Sequence, residues 1–227
     1  MSDRGLAVDR AAALRLVPVS RETSERLDVF AELFLRWQRA VQLVASSTLP
    51  KLWTRHIADS LQLINIAPNA KIWADLGTGG GFPGLIVAIA LKDRPNCLVH
   101  LIESDQRKAA FLREVIRATK APAKVHADRI ESVAKQAALG LEVVTARALA
   151  PMAQLLEFAH PFMENGAKGL FLKGQDVDNE LTQATKSWNI QWTVVPSVTE
   201  SRGKIVVVES ASPRLDNSGA TNCGSRP

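Results

Sequence analysis

Ten consecutive residues, Asp75-Leu-Gly-Thr-Gly-Gly-Gly-Phe-Pro-Gly84, carry the most specific chemical spacing in the chain. Glycine at 77, 79 and 81 lets a backbone turn tightly and lie close to a ligand, where a Cβ would collide. Pro83 suits the first turn of a helix, whose N–H groups lack partners within the helix. A dinucleotide loop needs Gly-x-Gly-x-x-Gly, with pyrophosphate on the helix N-terminus. Here the sixth position is Phe82, and that spacing fails. An acidic residue followed by Gly-x-Gly-x-Gly does fit, as Asp75, Gly77, Gly79 and Gly81. S-adenosylmethionine has no phosphate but carries an ammonium and a sulfonium, and a carboxylate at a strand end suits that cation by charge. The loop therefore ranks S-adenosylmethionine above NAD as the cofactor. A glycine-rich turn without a ligand is the remaining alternative.

Further polar residues stand at the ends of apolar runs. Glu103 follows the run Leu98–Ile102, where an acid can accept hydrogen bonds from a ribose diol. Asp105 is read as the cap of the helix that starts at Gln106. Asp128, Arg129, Ile130 and Glu131 follow a third apolar run, at the place where a loop meets an adenine ring; helix capping by Asp128 is the competing account. Arg147 ends a fourth run and can bond a guanine O6 or a phosphate; a structural ion pair is its alternative. Lys173, followed by Gly174, has the same two readings at the end of a fifth. Arg55 and His56 stand together on a short helical stretch, where a phosphate role is plausible. Asp59 is one helical turn from Arg55 and can pair with it.

The elements that position these residues follow from hydrophobic periodicity. Residues 1–22 are polar, Arg-rich and Ala-rich, and a loosely ordered start is expected. Leu27, Phe30, Phe34, Trp37 and Val41 form one helical stripe. Ser46, Ser47, Thr48 and Pro50 break it, and a second helical stretch spans about 51–66. Strands are expected at 71–76, 98–102, 124–127, 141–145 and 168–173. Helices are expected between them at about 84–91, 106–119, 130–138 and 152–163, and at 177–187. Two late strands, about 191–196 and 204–209, have only a short link between them, which suits an antiparallel hairpin. The alternation predicts an α/β fold: a seven-stranded, mostly parallel sheet with one late antiparallel strand, plus N-terminal helices. Three regions are expected: a helical extension at 23–66, a cofactor-binding domain at 67–211 and a disordered tail at 212–227.

The chain has 227 residues and a formal net charge of +5, which permits an anionic partner without requiring one. Two cysteines, Cys97 and Cys223, form no disulfide framework and no zinc pattern. No metal is expected, and a reducing cytoplasm is the expected compartment. No apolar run approaches membrane-spanning length, so no membrane partner is expected.

Several segments together resemble a known family. Arg55-His-Ile-Ala-Asp-Ser-Leu61, Asp75–Gly84, Arg129-Ile-Glu131, Thr145-Ala-Arg-Ala-Leu149 and Leu172-Lys-Gly174 occur in the order of the bacterial guanine-N7 methyltransferases of small-subunit ribosomal RNA (RsmG/GidB). The resemblance covers roughly residues 25–210, and its first two segments are specific as a pair. One departure is visible: Gln42-Leu43 stands where the family often has Asn-Leu. The resemblance implies a Rossmann-like class I methyltransferase that moves a methyl group from S-adenosylmethionine to N7 of a guanine in 16S rRNA. It also implies cofactor contacts at Gly77, Phe82, Ile130, Glu131 and Arg147. RNA contacts are expected at Arg55, His56, Arg129 and Lys173, with Arg147 and Lys173 positioning the substrate and no general base. A methyltransferase acting on a small molecule or protein, and a silent RNA-binding module, remain the alternatives.

Overall fold

A computed structural model describes residues 3–135 and 139–214. The chain opens with α1 (Asp3–Leu16) and α2 (Arg21–Gln38). A 3₁₀ turn (Ser46–Lys51), a π-helical segment (Leu52–Ala58) and α3 (Asp59–Ile66) follow. The alternating part consists of β1 (Ile72–Leu76), α4 (Gly84–Ala90), β2 (Leu98–Ile102), α5 (Gln106–Thr119), β3 (Ala123–His126) and α6 (Ile130–Ala134). It continues through β4 (Val143–Arg147), α7 (Met152–Met163), β5 (Lys168–Lys173) and α8 (Val177–Ser187). The hairpin β6 (Trp188–Pro196) and β7 (Lys204–Pro213) completes the fold.

The seven strands form one sheet in the order β3-β2-β1-β4-β5-β7-β6. Strands β1 to β5 pair in parallel; β7 pairs antiparallel with both β5 and β6. Six strands thus share a direction and β7 opposes them, as the short link between the last two apolar runs predicts. The central strands are apolar along their length because helices cover both faces. Strand order reverses between β1 and β4. In open α/β sheets the crevice beyond the carboxyl ends at such a point is where ligands bind.

The expectation of a loosely ordered start is corrected by α1. Asp9 accepts hydrogen bonds from the Trp53 N–H at 2.7 Å and the Thr54 hydroxyl at 2.6 Å. Arg10 pairs with Asp28 at 2.6 Å and lies over the Trp53 ring at 5.2 Å. These contacts give a short polar helix tertiary partners that its own periodicity does not show. Ser20 caps α2 by accepting the Thr23 N–H at 3.1 Å. Phe30 and Phe34, both fully buried, pack with Phe82 and Phe111, so α2 and the cofactor-type loop share one core.

At the other end, β7 runs through Ser212 and Pro213, which the sequence assigns to the tail; positions 215–227 of that tail lie outside the described residues. So do 136–138, the end of the helix expected at 130–138. Among the described residues, no helix is long and apolar enough to cross a membrane, and no group of three or more His, Cys, Asp or Glu could hold a metal ion.

Candidate active site

The loop after β1 is glycine-rich for separate physical reasons at each position. Gly77 and Gly79 have φ of +66° and +57°. A Cβ on Gly77 would also stand 2.8 Å from Leu149 Cδ1, whereas one on Gly79 would meet nothing nearer than the Gly77 oxygen at 3.7 Å. Gly79 is therefore the open rung, with a side chain's worth of space beside it. Gly81, at φ +93°, faces Leu85 and Phe30 in the core instead. At Gly84 a Cβ would lie 2.4 Å from Asp75 Cβ, so α4 can start directly against β1 only through a glycine.

Asp75 does not face the cavity, which corrects its expected role beside a sulfonium. It is fully buried, with Oδ2 accepting the Gly84 N–H at 2.9 Å and Oδ1 accepting the Thr145 hydroxyl at 2.8 Å. Burial raises its pKa to about 6 against the opposing effect of those bonds. Its position welds the loop to β4. Glu103 performs a similar service one strand away. Its two oxygens accept the N–H groups of Gly79 and Asp105, each at 2.8 Å, which couples the loops after β1 and β2. Asp105 caps α5 through the Arg107 and Lys108 N–H groups.

A cavity of about 870 Å³ opens beyond the carboxyl ends of β1, β4 and β5. Gly77, Gly79, Phe82, Arg147, Arg55, His56 and Lys173 all line it. Asp75, Gly81, Glu103, Arg129, Ile130 and Glu131 do not; the last three lie at the start of α6, whose Val133 packs with Leu76, Ile102, Val144 and α7.

Arg147 is the centre of the wall. Its guanidinium donates to His56 Nδ1 at 2.6 Å and to the Arg55 carbonyl at 3.2 Å, and sits 4.9 Å from the Phe82 ring centroid. An arginine can only donate, so His56 Nδ1 must accept and its proton resides on Nε2. Nε2–H then donates to the Thr48 hydroxyl at 2.9 Å, and Thr48 donates to the Ala45 carbonyl at 2.8 Å. This directional chain keeps the imidazole neutral. Burial, and then the neighbouring Arg147 and Arg55 charges, lower its pKa to about 3. His56 is thus the orienting partner of Arg147, and its contact with RNA, expected from sequence, is replaced by an internal one.

Asp59 is not the partner of Arg55. Arg55 reaches Glu200 on the β6–β7 turn at 3.1 Å, while Asp59 Oδ1 accepts from Gln62, Ser197 and Thr199. Lys173 is likewise committed: Nζ bonds the Ala150 carbonyl at 2.7 Å and Glu180 at 2.5 Å, and Glu180 also accepts the Met152 N–H. These bonds fix the segment after β4, where Ala148 adopts φ +52° and so turns Leu149 towards Gly77. Sequence reasoning misses Thr48, Gln62, Glu180, Arg202 and Lys204. Gln62, Arg202 and Lys204 take partners 26 or more positions away, at Val198, Gln175 and Asp178, while Thr48 and Glu180 bond His56 and Lys173 within eight positions but outside the spacing of helical neighbours.

Against this geometry the similarities to known proteins are specific. The family model described as rRNA small subunit methyltransferase G matches residues 23–207. A protein of that name from Bradyrhizobium sp. (strain BTAi1) is 54% identical over 92% of this chain and 94% of its own. The Nitrobacter winogradskyi protein of the same name is 53% identical over 94% of this chain and 77% of its own. An O-methyltransferase from Bacillus cereus, solved in complex with SAH, shares the fold with a TM-score of 0.57 at 15% identity, over 90% of this chain and 97% of that one. With the family model spanning most of its length and relatives above half identity, the chain belongs to the GidB family of small-subunit ribosomal RNA methyltransferases.

Proposed function

We propose that this protein transfers the methyl group of S-adenosylmethionine to guanine N7 in small-subunit ribosomal RNA. One observation carries the reading: the cavity opens at the reversal of strand order, floored by the glycine loop, in a chain of this family. Its volume lies in the upper part of the range of small-molecule sites, about 300–1,000 Å³. The bare backbone at Gly77 and Gly79 offers the close approach that a nucleoside-type cofactor needs, so the residues fit the group. The cofactor supplies a methyl group on a positively charged sulfur. Gly77, Gly79 and Phe82 would hold it, and Glu103, outside the cavity lining, would act through the Gly79 N–H that it fixes, with lone pairs left over for a ribose hydroxyl. Ile130 and Glu131, which the resemblance assigns to the cofactor, follow β3 at the start of α6 outside the cavity lining.

Guanine N7 is an acceptor without a proton, so its methylation needs alignment rather than a base. The cavity wall is consistent with that. Among the described residues, His56, Asp59, Glu180 and Glu200 on that wall each already engage a protein partner. Arg147, held flat by His56 and Phe82, keeps the reaction face electropositive and orients the base. Arg55 and the exposed Arg129 meet phosphates. A loop or extruded guanine is the substrate form, because the RNA major groove is deep and narrow.

The deciding measurement is transfer of tritium from labelled S-adenosylmethionine to rRNA lacking its own modification, with the labelled base then mapped. Label on guanine N7 supports the reading. Label confined to protein or small molecules, or to another base, overturns it.

A further inference from the structure

The turn between β6 and β7, residues 197–203, lies outside the glycine loop and the ends of β1, β4 and β5, yet it forms one side of the cavity. It is bound to α3 by a set of part-buried hydrogen bonds and to the π-helical segment by the exposed Arg55–Glu200 pair. Asp59 Oδ1 accepts from Ser197 Oγ at 3.0 Å, Thr199 Oγ1 at 2.7 Å and Gln62 Nε2 at 2.7 Å. Gln62, 4% exposed, returns its oxygen to the Val198 N–H at 3.0 Å. Within the turn, the Ser197 N–H donates to the Gly203 carbonyl and the Gly203 N–H to the Glu200 carbonyl. A Cβ on Gly203 would stand 3.0–3.2 Å from Ser197 and Glu200, so the turn is closed as well as anchored.

Such anchoring is unusual for an exposed hairpin end, since loops are ordinarily the mobile part of a fold. Here the fixed turn presents Arg202 and Lys204 at the cavity rim. Arg202 has a neutral partner, Gln175, at 3.1 Å. Lys204 is 3.5 Å from Asp178, whose side chain is 77% exposed, a pairing of little strength in water. Both cations are therefore available to an anion at the rim, and Arg55, half exposed opposite Glu200, completes the basic edge.

Resting on the rRNA reading above, we propose that the β6–β7 turn is a rigid wall for the RNA strand entering the cavity. Arg202 and Lys204 take its phosphates. Asp59, Gln62 and Thr199 are positioning residues that hold the wall in place.

The test is filter binding of an unmodified rRNA fragment as a function of salt, alongside steady-state methylation. Arg202→Gln with Lys204→Gln is expected to weaken RNA binding about tenfold or more and to reduce the magnitude of the log–log salt slope by about 2, while cofactor affinity stays at the wild-type value. Thr199→Val is expected to raise hydrogen exchange at amides 197–203 and the KM for RNA. Thr199→Ser, which keeps the hydroxyl, is expected to restore both. Wild-type RNA affinity and salt slope in the double variant overturn the proposal. A wild-type protein that binds the fragment but methylates nothing contradicts the function proposed above instead, and leaves the binding comparison decisive for the wall.

Discussion

At the scale of single residues, charge and tautomer decide what each group can do. His56 and His100 are buried neutral, with pKa values lowered to about 3 and about 4, by burial first in both cases. Groups depressed in the folded state contribute stability that is complete above the ordinary histidine value of 6.5 and is lost as pH falls towards the folded values. Asp75 acts in the opposite sense. Raised from 3.8 to about 6, its contribution is complete below 3.8 and is lost as pH rises through about 6. Asp75→Asn can keep both bonds, accepting from Gly84 and donating to Thr145. It is therefore expected to be more stable than wild type at pH 8, by up to about 3 kcal/mol, with the difference vanishing near pH 4. Urea midpoints across that range check it, and a variant less stable at pH 8 counts against the buried-charge account. Cofactor affinity of the same variant should change little, because Asp75 lies behind the loop. The sequence shows Asp75 at a strand end but not which way it points. Its orientation is set by Gly84 and Thr145, one of them 70 positions away.

At the scale of elements, the strand–loop–helix unit of β1 and α4 separates binding from folding. Gly79→Val adds bulk where only the Gly77 oxygen is near, at the cost of a strained positive φ, about 1–2 kcal/mol. The expected outcome is loss of binding to S-adenosylhomocysteine by calorimetry with a cooperative unfolding transition retained. Gly84→Ala drives a methyl into Asp75 and Leu101. It is expected to cost about 3 kcal/mol or more, seen as a lowered melting temperature, since overpacked cores cannot relax cheaply. The glycine spacing that marks the loop after β1 was legible without coordinates, as were the alternating strands and the reversed last one; that Gly81 faces Leu85 and Phe30 in the core instead of the cavity was not. The π-helical segment was not. Its Arg55 and His56, and Asp59 at the start of α3, take partners on β4 and on the β6–β7 turn, more than 90 positions away in each case, and local periodicity carries no trace of those partners.

At the scale of the whole molecule, the N-terminal helices are part of the catalytic body rather than an appendage. Removing residues 1–17 would strip Asp9 from the Trp53 N–H and the Thr54 hydroxyl and Arg10 from Trp53. That deletion is expected to lower the melting temperature and to weaken methyl transfer, because the segment it releases carries His56 and, through it, Arg147. Full activity and an unchanged melting temperature in the truncated chain would refute that coupling. Polar composition misled the sequence reading here: α1 is held by a few long-range polar bonds and by buried Ala13 and Val17, not by a broad apolar stripe. The reversed strand β7 has a practical corollary. It starts at the cavity with Lys204 and ends at Pro213, past the opposite margin of the sheet, a run of roughly 30 Å for ten extended residues. A fluorescent reporter or surface tether joined after Arg214 would thus emerge at the margin of the sheet opposite the cavity, which makes that junction the natural one for immobilising the enzyme with the cavity open.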